Sequence, residues 1–133
     1  MPTSHVHRFQ VPYADTDAQG HVCFANYLNY FDDALGRYFR SIGFPWLRMA
    51  ELGVDLVHAS AQVSYHGRAF REDLLQIEVS IDRVGSASFT VSCTAKKEDG
   101  SVIATGELVS LCIDRETMRS TPLPSSIREA VAS

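Results

Sequence analysis

Cysteine is scarce in this sequence, and the little there is forms no pairing pattern. The three residues, Cys23, Cys93 and Cys112, are odd in number and lack C-x-x-C spacing. That speaks against a disulfide scaffold or a thiolate metal knot and points to reduced thiols in a cytoplasmic compartment. Long apolar runs are missing too. No stretch approaches the ~18 residues that would cross a membrane as a helix. The first ten residues are polar, without the apolar segment of a secretion signal, so none is expected. Positive charge is in deficit: 12 basic against 16 acidic residues give a net charge of −4. General binding to nucleic acid is excluded on that balance, and a phosphate-bearing ligand would need a local basic patch. Internal repeats and low-complexity segments are absent as well.

What is present fits one globular domain spanning residues 1–133, with 45% hydrophobic and 21% charged residues. Residues 6–13 alternate loosely and read as a first strand. In the next segment Tyr27, Tyr30, Phe31, Ala34, Leu35, Tyr38 and Ile42 recur at the α-helical period, with Asn29, Asp33, Arg37 and Arg40 on the opposite face. Gly43 stops that helix, and Pro45 follows as a second breaker. A short helical turn is predicted over 45–51. Four strands follow, at 56–65, 74–83, 88–97 and 102–113. Ile77, Val79 and Ile81 alternate with Glu78, Ser80 and Asp82, the period of a sheet with one wet face. Asp99-Gly100 marks a hairpin, and Pro122 and Pro124 lead into a tail helix over 126–131. The order predicts an α+β architecture: one strand, one long helix, then an antiparallel meander of four strands curling around it.

The residues with chemical potential cluster before the long helix, in Tyr13-Ala-Asp15-Thr-Asp17-Ala-Gln-Gly20-His21-Val-Cys23-Phe24-Ala-Asn26-Tyr27. A helix N-terminus offers unpaired N–H groups and partial positive charge, which stabilise a developing oxyanion. A neighbouring carboxylate can attack a carbonyl held there or deprotonate a water that does. Gly20 permits close backbone approach. Taken alone, the D-x-D pattern equally describes a loop that Asp15 and Asp17 merely order.

The spacing Tyr13-x-Asp15-x-Asp17-x-x-Gly20-x-Val22, with Asn26-Tyr27 and Tyr30-Phe31-Asp32 after it, resembles the N-terminal signature of the 4-hydroxybenzoyl-coenzyme A thioesterase family. The strand order and the ending Cys112-Ile-Asp114-Arg-Glu-Thr-Met agree with it. The resemblance implies a hot-dog fold, an antiparallel sheet wrapped around one central helix, and a homodimer or homotetramer with sites at the dimer interface. It implies hydrolysis of an acyl-coenzyme A, without a cofactor or metal, and with no nucleic-acid or membrane partner. Asp17 takes the position of the catalytic carboxylate, and the Phe24 N–H that of the donor polarising the thioester carbonyl. Gly20, His21, Asn26 and Tyr27 fall beside the substrate, and Asp15 at a loop-ordering position. The pair His21-Val22 also matches the long-chain acyl-coenzyme A branch, so the subfamily stays open. The turn before the fourth strand, Val84-Gly-Ser86-Ala-Ser88, lacks the basic cluster with which some relatives hold coenzyme A phosphates. Arg83 is the chosen replacement, with Arg68 and Arg71 as further candidates.

Other residues compete. Cys23, just before the helix, could serve as a nucleophile with His21 as base, but a small buried apolar role is the plainer expectation. His5 and His7 share a strand face and, with Asp15, could approach a metal, although no third ligand stands at telling spacing. His58 and His66 read as ordinary strand residues, either of which could orient a substrate if it faces the site. Asp32 and Asp33 read as a solvated or interface face. Two further functions fit the same fold: a non-catalytic module binding an acyl thioester or a partner protein, and a hydratase or dehydratase, which needs a His–carboxylate pair.

Overall fold

In the computed structural model the described residues are 4–132; part of the leading segment read above for a signal lies outside them. The chain runs through β1 (Ser4–Gln10), a single 3-10 turn (Tyr13–Asp15), α1 (Asn26–Ser41), α2 (Trp46–Glu51), β2 (Val54–Tyr65), β3 (Leu74–Val84), β4 (Ser88–Lys97), β5 (Val102–Asp114) and α3 (Ser125–Ala132). The first strand ends sooner than its pattern suggested. Pro12 has no N–H to give to a ladder, and the Val11 N–H turns to the Asp73 carbonyl at 2.9 Å.

The apolar stripe of α1 is buried as its spacing requires: Tyr27, Phe31, Ala34, Leu35, Tyr38 and Phe39 are all at most 5% exposed. Gly43 adopts φ +94. Its N–H bonds to Arg40 O at 3.1 Å and the Phe44 N–H to Phe39 O at 2.8 Å. This Schellman closure satisfies carbonyls the helix would leave open.

The five strands form one antiparallel sheet in the order β1-β3-β4-β5-β2. Only β3, β4 and β5 are a meander, which corrects the four-strand expectation. The connection across residues 66–73 carries the chain from one edge of the sheet to the other, leaving β2 beside β5 and β3 beside β1. The swap puts the most apolar strands in the middle, where Ile77, Val91, Ala95 and Cys93 face the helix at 0–2% exposure. The helix packs tightly on the sheet at Gly106. A Cβ built there would sit 2.8 Å from Phe31 Cε2 and 3.2 Å from the Gln62 carbonyl, so only a residue without a side chain admits the ring.

β2 is the long exposed edge. Its central residues His58, Ala59, Ser60, Ala61 and Gln62 are exposed and carry no acidic or lysine side chain to block pairing.

Candidate functional site

The segment ahead of α1 folds into a small hairpin of its own. Thr16 pairs with Val22, the Asp17 N–H bonds to His21 O at 2.9 Å, and the Gly20 N–H closes a turn on Asp17 O at 2.9 Å. Gly20 sits at φ +86, which the turn requires. Asp17, first in the turn, accepts the Gln19 N–H on Oδ1 at 2.8 Å, an Asx turn that fixes its carboxylate. Its Oδ2 lies 3.5 Å from His21 Nδ1. His21 is only 6% exposed. Its ring is held 2.7 Å from Gln19 Oε1, 3.3 Å from the Val22 carbonyl and edge-on to Phe70. The side chain predicted to meet substrate is therefore folded under the Asp17 turn.

A second layer ties the hairpin to the start of α1. The Asp15 carbonyl accepts both the Cys23 N–H at 3.1 Å and Asn26 Nδ2–H at 2.9 Å. Its carboxylate accepts the Tyr30 hydroxyl at 2.8 Å. Burial, then this bond to a carboxylate, holds the Tyr30 phenol well above its ordinary pKa. Asp15 is thus a tether between the hairpin and α1, whereas the Asp17 carboxylate is bonded only within its own turn. Ala25 occupies the helix cap and makes no side-chain bond to it, and no acidic residue stands in the first turn. Among the described residues none accepts the Phe24 N–H. The positive end of α1 is uncompensated by its own side chains. The Phe24 ring is exposed and packs on Tyr65 at 5.0 Å, whose hydroxyl donates to the Phe24 carbonyl at 3.0 Å. Tyr27 is buried beneath that pair, in contact with Tyr30 and Tyr65 rings.

Arg71 stands over the turn. Its guanidinium stacks on Tyr13 at 4.7 Å, and Nη2 lies 3.7 Å from where a Gly20 Cβ would be. Arg83 is at the opposite end of β3 from the residues that join this hairpin, so one chain does not bring it to its own Asp17. Arg68 is exposed beyond β2. His66 bonds Thr105 Oγ1 at 2.9 Å and stays a strand residue. Cys23 is exposed, contrary to the expectation of a buried apolar role, because Val22 takes the inward position before it. His21 turns away from that thiol toward Gln19. Among the described residues no three His, Cys, Asp or Glu side chains gather as metal ligands. His7 stacks on Phe9 and lies 3.8 Å from Asp33.

One cluster escaped the sequence reading. His58 Nε2 lies 2.8 Å from Asp32 Oδ1, and His58 Nδ1 lies 2.9 Å from Ser110 Oγ. The His58 hydrogen bond holds the Asp32 carboxyl below its usual range. These three side chains line a cleft of about 210 Å³ between α1 and β2, walled by Leu35, Phe39, Trp46 and Phe89. Ser110 is 1% exposed. The sequence marked Asp32 and His58 singly, and Ser110 stands on the inward alternation of a strand, but spacing cannot name them as partners. The principal clefts of the single chain, among the described residues, do not include Asp17; its side chain is 36% exposed.

Residues 11–131 match the model of the thioesterase-like superfamily. The chain belongs to that superfamily. Its fold is the hot-dog fold, and the narrower 4-hydroxybenzoyl assignment is not reached by this match. An Aquifex aeolicus protein, provisionally named an esterase, is 34% identical over 97 residues, 73% of this chain and 76% of its own. The acyl-CoA thioester hydrolase YbgC of Escherichia coli is 26% identical over 118 residues, 89% of this chain and 88% of its own. The crystal structure of a 1,4-dihydroxy-2-naphthoyl-CoA thioesterase from Synechocystis superposes with a TM-score of 0.90, at 21% identity, over 98% of this chain and 96% of its own; at that identity it speaks for the fold. Among the described residues this superfamily member has no helix long and apolar enough to cross a membrane.

Proposed function

We propose that the chain hydrolyses acyl-coenzyme A thioesters, with Asp17 as the catalytic carboxylate. The observation carrying this is the fixed Asp17 side chain, oriented by the Gln19 N–H at 2.8 Å and by His21, on a hairpin that leads within a few residues to an uncapped helix N-terminus. The thioester carbonyl oxygen takes the Phe24 N–H, which stabilises the oxyanion as the carbon becomes tetrahedral. Asp17 either attacks that carbon, giving an acyl-enzyme anhydride that water then opens, or removes a proton from the water that attacks. Both routes expel coenzyme A as its thiolate and leave the free acid. Gly20 gives the substrate room, Asn26 and Tyr27 set the position of Phe24, and His21 acts on the carboxylate.

A carboxylate open to water on one side does little alone, so the site needs cover. The unpaired β2 edge supports a homodimer with sites at its interface, and four copies if two dimers join. In such an assembly Arg83 would reach coenzyme A seated on the partner's hairpin, with Arg71 closing the near side. The free thiols support a cytoplasmic setting. The 4-hydroxybenzoyl type within the superfamily remains the finer reading.

The test is thiol release from a panel of short, long and aromatic acyl-CoA esters, with Asp17→Asn beside the wild type. Turnover is expected to fall about a hundredfold or more while binding persists; unchanged turnover removes Asp17 from its role. Sedimentation should give a mass two or four times 14.7 kDa. The non-catalytic acyl-binding reading is favoured by one observation, the lack of a cleft at Asp17 in the single chain. Thermal stabilisation by acyl-CoA without thiol release would select it. The hydratase reading is disfavoured, because both ring nitrogens of His21, the histidine beside Asp17, are already engaged, Nε2 by Gln19 Oε1 at 2.7 Å and Nδ1 by the Val22 carbonyl at 3.3 Å.

A further inference from the structure

We infer that Tyr65 is the positioning residue of the oxyanion donor: its hydroxyl, reaching over from the end of β2, holds the Phe24 peptide so that the Phe24 N–H keeps its aim at the thioester carbonyl. This deepens the reading of Phe24 as that donor and rests on it.

The main-chain groups around Phe24 are bonded in turn. The Cys23 N–H goes to the Asp15 carbonyl at 3.1 Å, and the Asn26 N–H to the Cys23 carbonyl at 3.0 Å. In a trans peptide the N–H and C=O point opposite ways, so the second bond turns the Phe24 N–H outward from the helix start. The Phe24 carbonyl is the weak point. The backbone gives it the Tyr27 N–H at 3.4 Å, longer than a well-made N–H···O bond, and the cap residue Ala25 brings no side-chain bond to the turn. With the following plane so loosely held, two soft dihedrals let the Phe24 N–H rock. The Tyr65 hydroxyl supplies the missing grip, donating to the Phe24 carbonyl at 3.0 Å from 41 residues away.

Tyr65 is well anchored for that task. Its backbone pairs with Ala104 of β5. Its ring lies against the buried Tyr27 ring, centroids 5.6 Å apart, and the Phe24 ring covers it at 5.0 Å. The hydroxyl is thereby carried by the sheet and the core, while Phe24 itself stands on a turn with its side chain 65% exposed. The bond from the Phe24 N–H reaches full strength only as the oxyanion forms, so a misplaced donor slows the chemical step more than it weakens binding. Tyr65 therefore acts through Phe24 on turnover. The other role open to an exposed tyrosine, a direct bond to the substrate, would act on affinity instead.

Tyr65→Phe decides the matter, since it keeps both ring contacts and removes the one bond. With hexanoyl-, palmitoyl- and benzoyl-CoA as substrates, kcat is expected to fall about ten- to a hundredfold with KM little changed. A second readout needs no turnover. In the Asp17→Asn background, the most tightly bound of the three esters, labelled with carbon-13 at its thioester carbonyl, is followed by difference infrared spectroscopy. With Tyr65 present the carbonyl band should lie at lower wavenumber than in the free ester, because the Phe24 N–H weakens the C=O bond. Tyr65→Phe in the same background should return the band most of the way. A displaced band that is equal in both proteins, or a raised KM with kcat kept, overturns the inference and leaves the Phe24 donor standing. A band displaced in neither, or no ester bound, removes the Phe24 donor and the inference with it. A displaced band that depends on Tyr65 upholds the inference even where the wild type releases no thiol. In that case it is the role of Asp17 that fails.

Discussion

His21 Nδ1 stands 3.5 Å from Asp17 Oδ2, across a turn in which Asp17 is open to solvent and His21 is buried. The histidine therefore acts as a wedge beneath the carboxylate, lying close to one oxygen while the Gln19 N–H bonds the other. Replacing His21 with Ala frees the carboxylate to rotate. The expected outcome is a fall in kcat of about ten- to a hundredfold with KM little changed, checked by steady-state thiol release. A change in KM alone would show that His21 meets substrate.

The close approach at Gly106 gives a prediction about stability. Gly106→Ala places a methyl 2.8 Å from the buried Phe31 ring, and α1 must move off the sheet or the ring must leave its rotamer. A loss of about 1–3 kcal/mol is expected, measured as a shift of the urea midpoint. A double change that also trims Phe31 to Leu should recover part of the overpacking.

Tyr38 carries a buried hydroxyl with no hydrogen-bond partner among the described residues. Tyr38→Phe removes a desolvated group and nothing that bonds to it. Stability should rise by up to about 1 kcal/mol, seen as a higher Tm by calorimetry. A lower Tm would mean that the hydroxyl is bonded in solution.

The three thiols should separate by reactivity. Cys23 is exposed, whereas burial pushes the Cys93 thiol up to about 12 and raises that of Cys112. Native protein treated with a thiolate-selective alkylator at neutral pH should label Cys23 alone, as peptide mass mapping will show. The raised Cys93 value also has a sign. The folded state holds the thiol protonated where the unfolded chain ionises near ~8.5. Its contribution to stability is complete below that pH and is lost progressively as pH rises toward about 12. Cys93→Ser should flatten that alkaline part of the stability profile.

Sequence spacing by itself determined the local elements. The stripe from Tyr27 to Ile42 specified α1 to within a residue, Gly43 its end, and Asp99-Gly100 the β4–β5 hairpin, because helix period, positive φ and turn chemistry are properties of a few consecutive residues. An ordered loop at Asp15–Asp17 just before the helix was legible for the same reason, while its hairpin pairing of Thr16 with Val22 was not, and Phe24 was singled out only by the family resemblance. Tertiary structure alone decided the rest. It placed β2 outside β5, turned Cys23 outward and His21 inward, set Arg71 and not Arg83 over the Gly20 turn, and joined His58 to Asp32 across 26 residues and to Ser110 across 52. Those outcomes depend on strand register and on the crossover through residues 66–73, and both follow from how the whole chain buries its apolar surface.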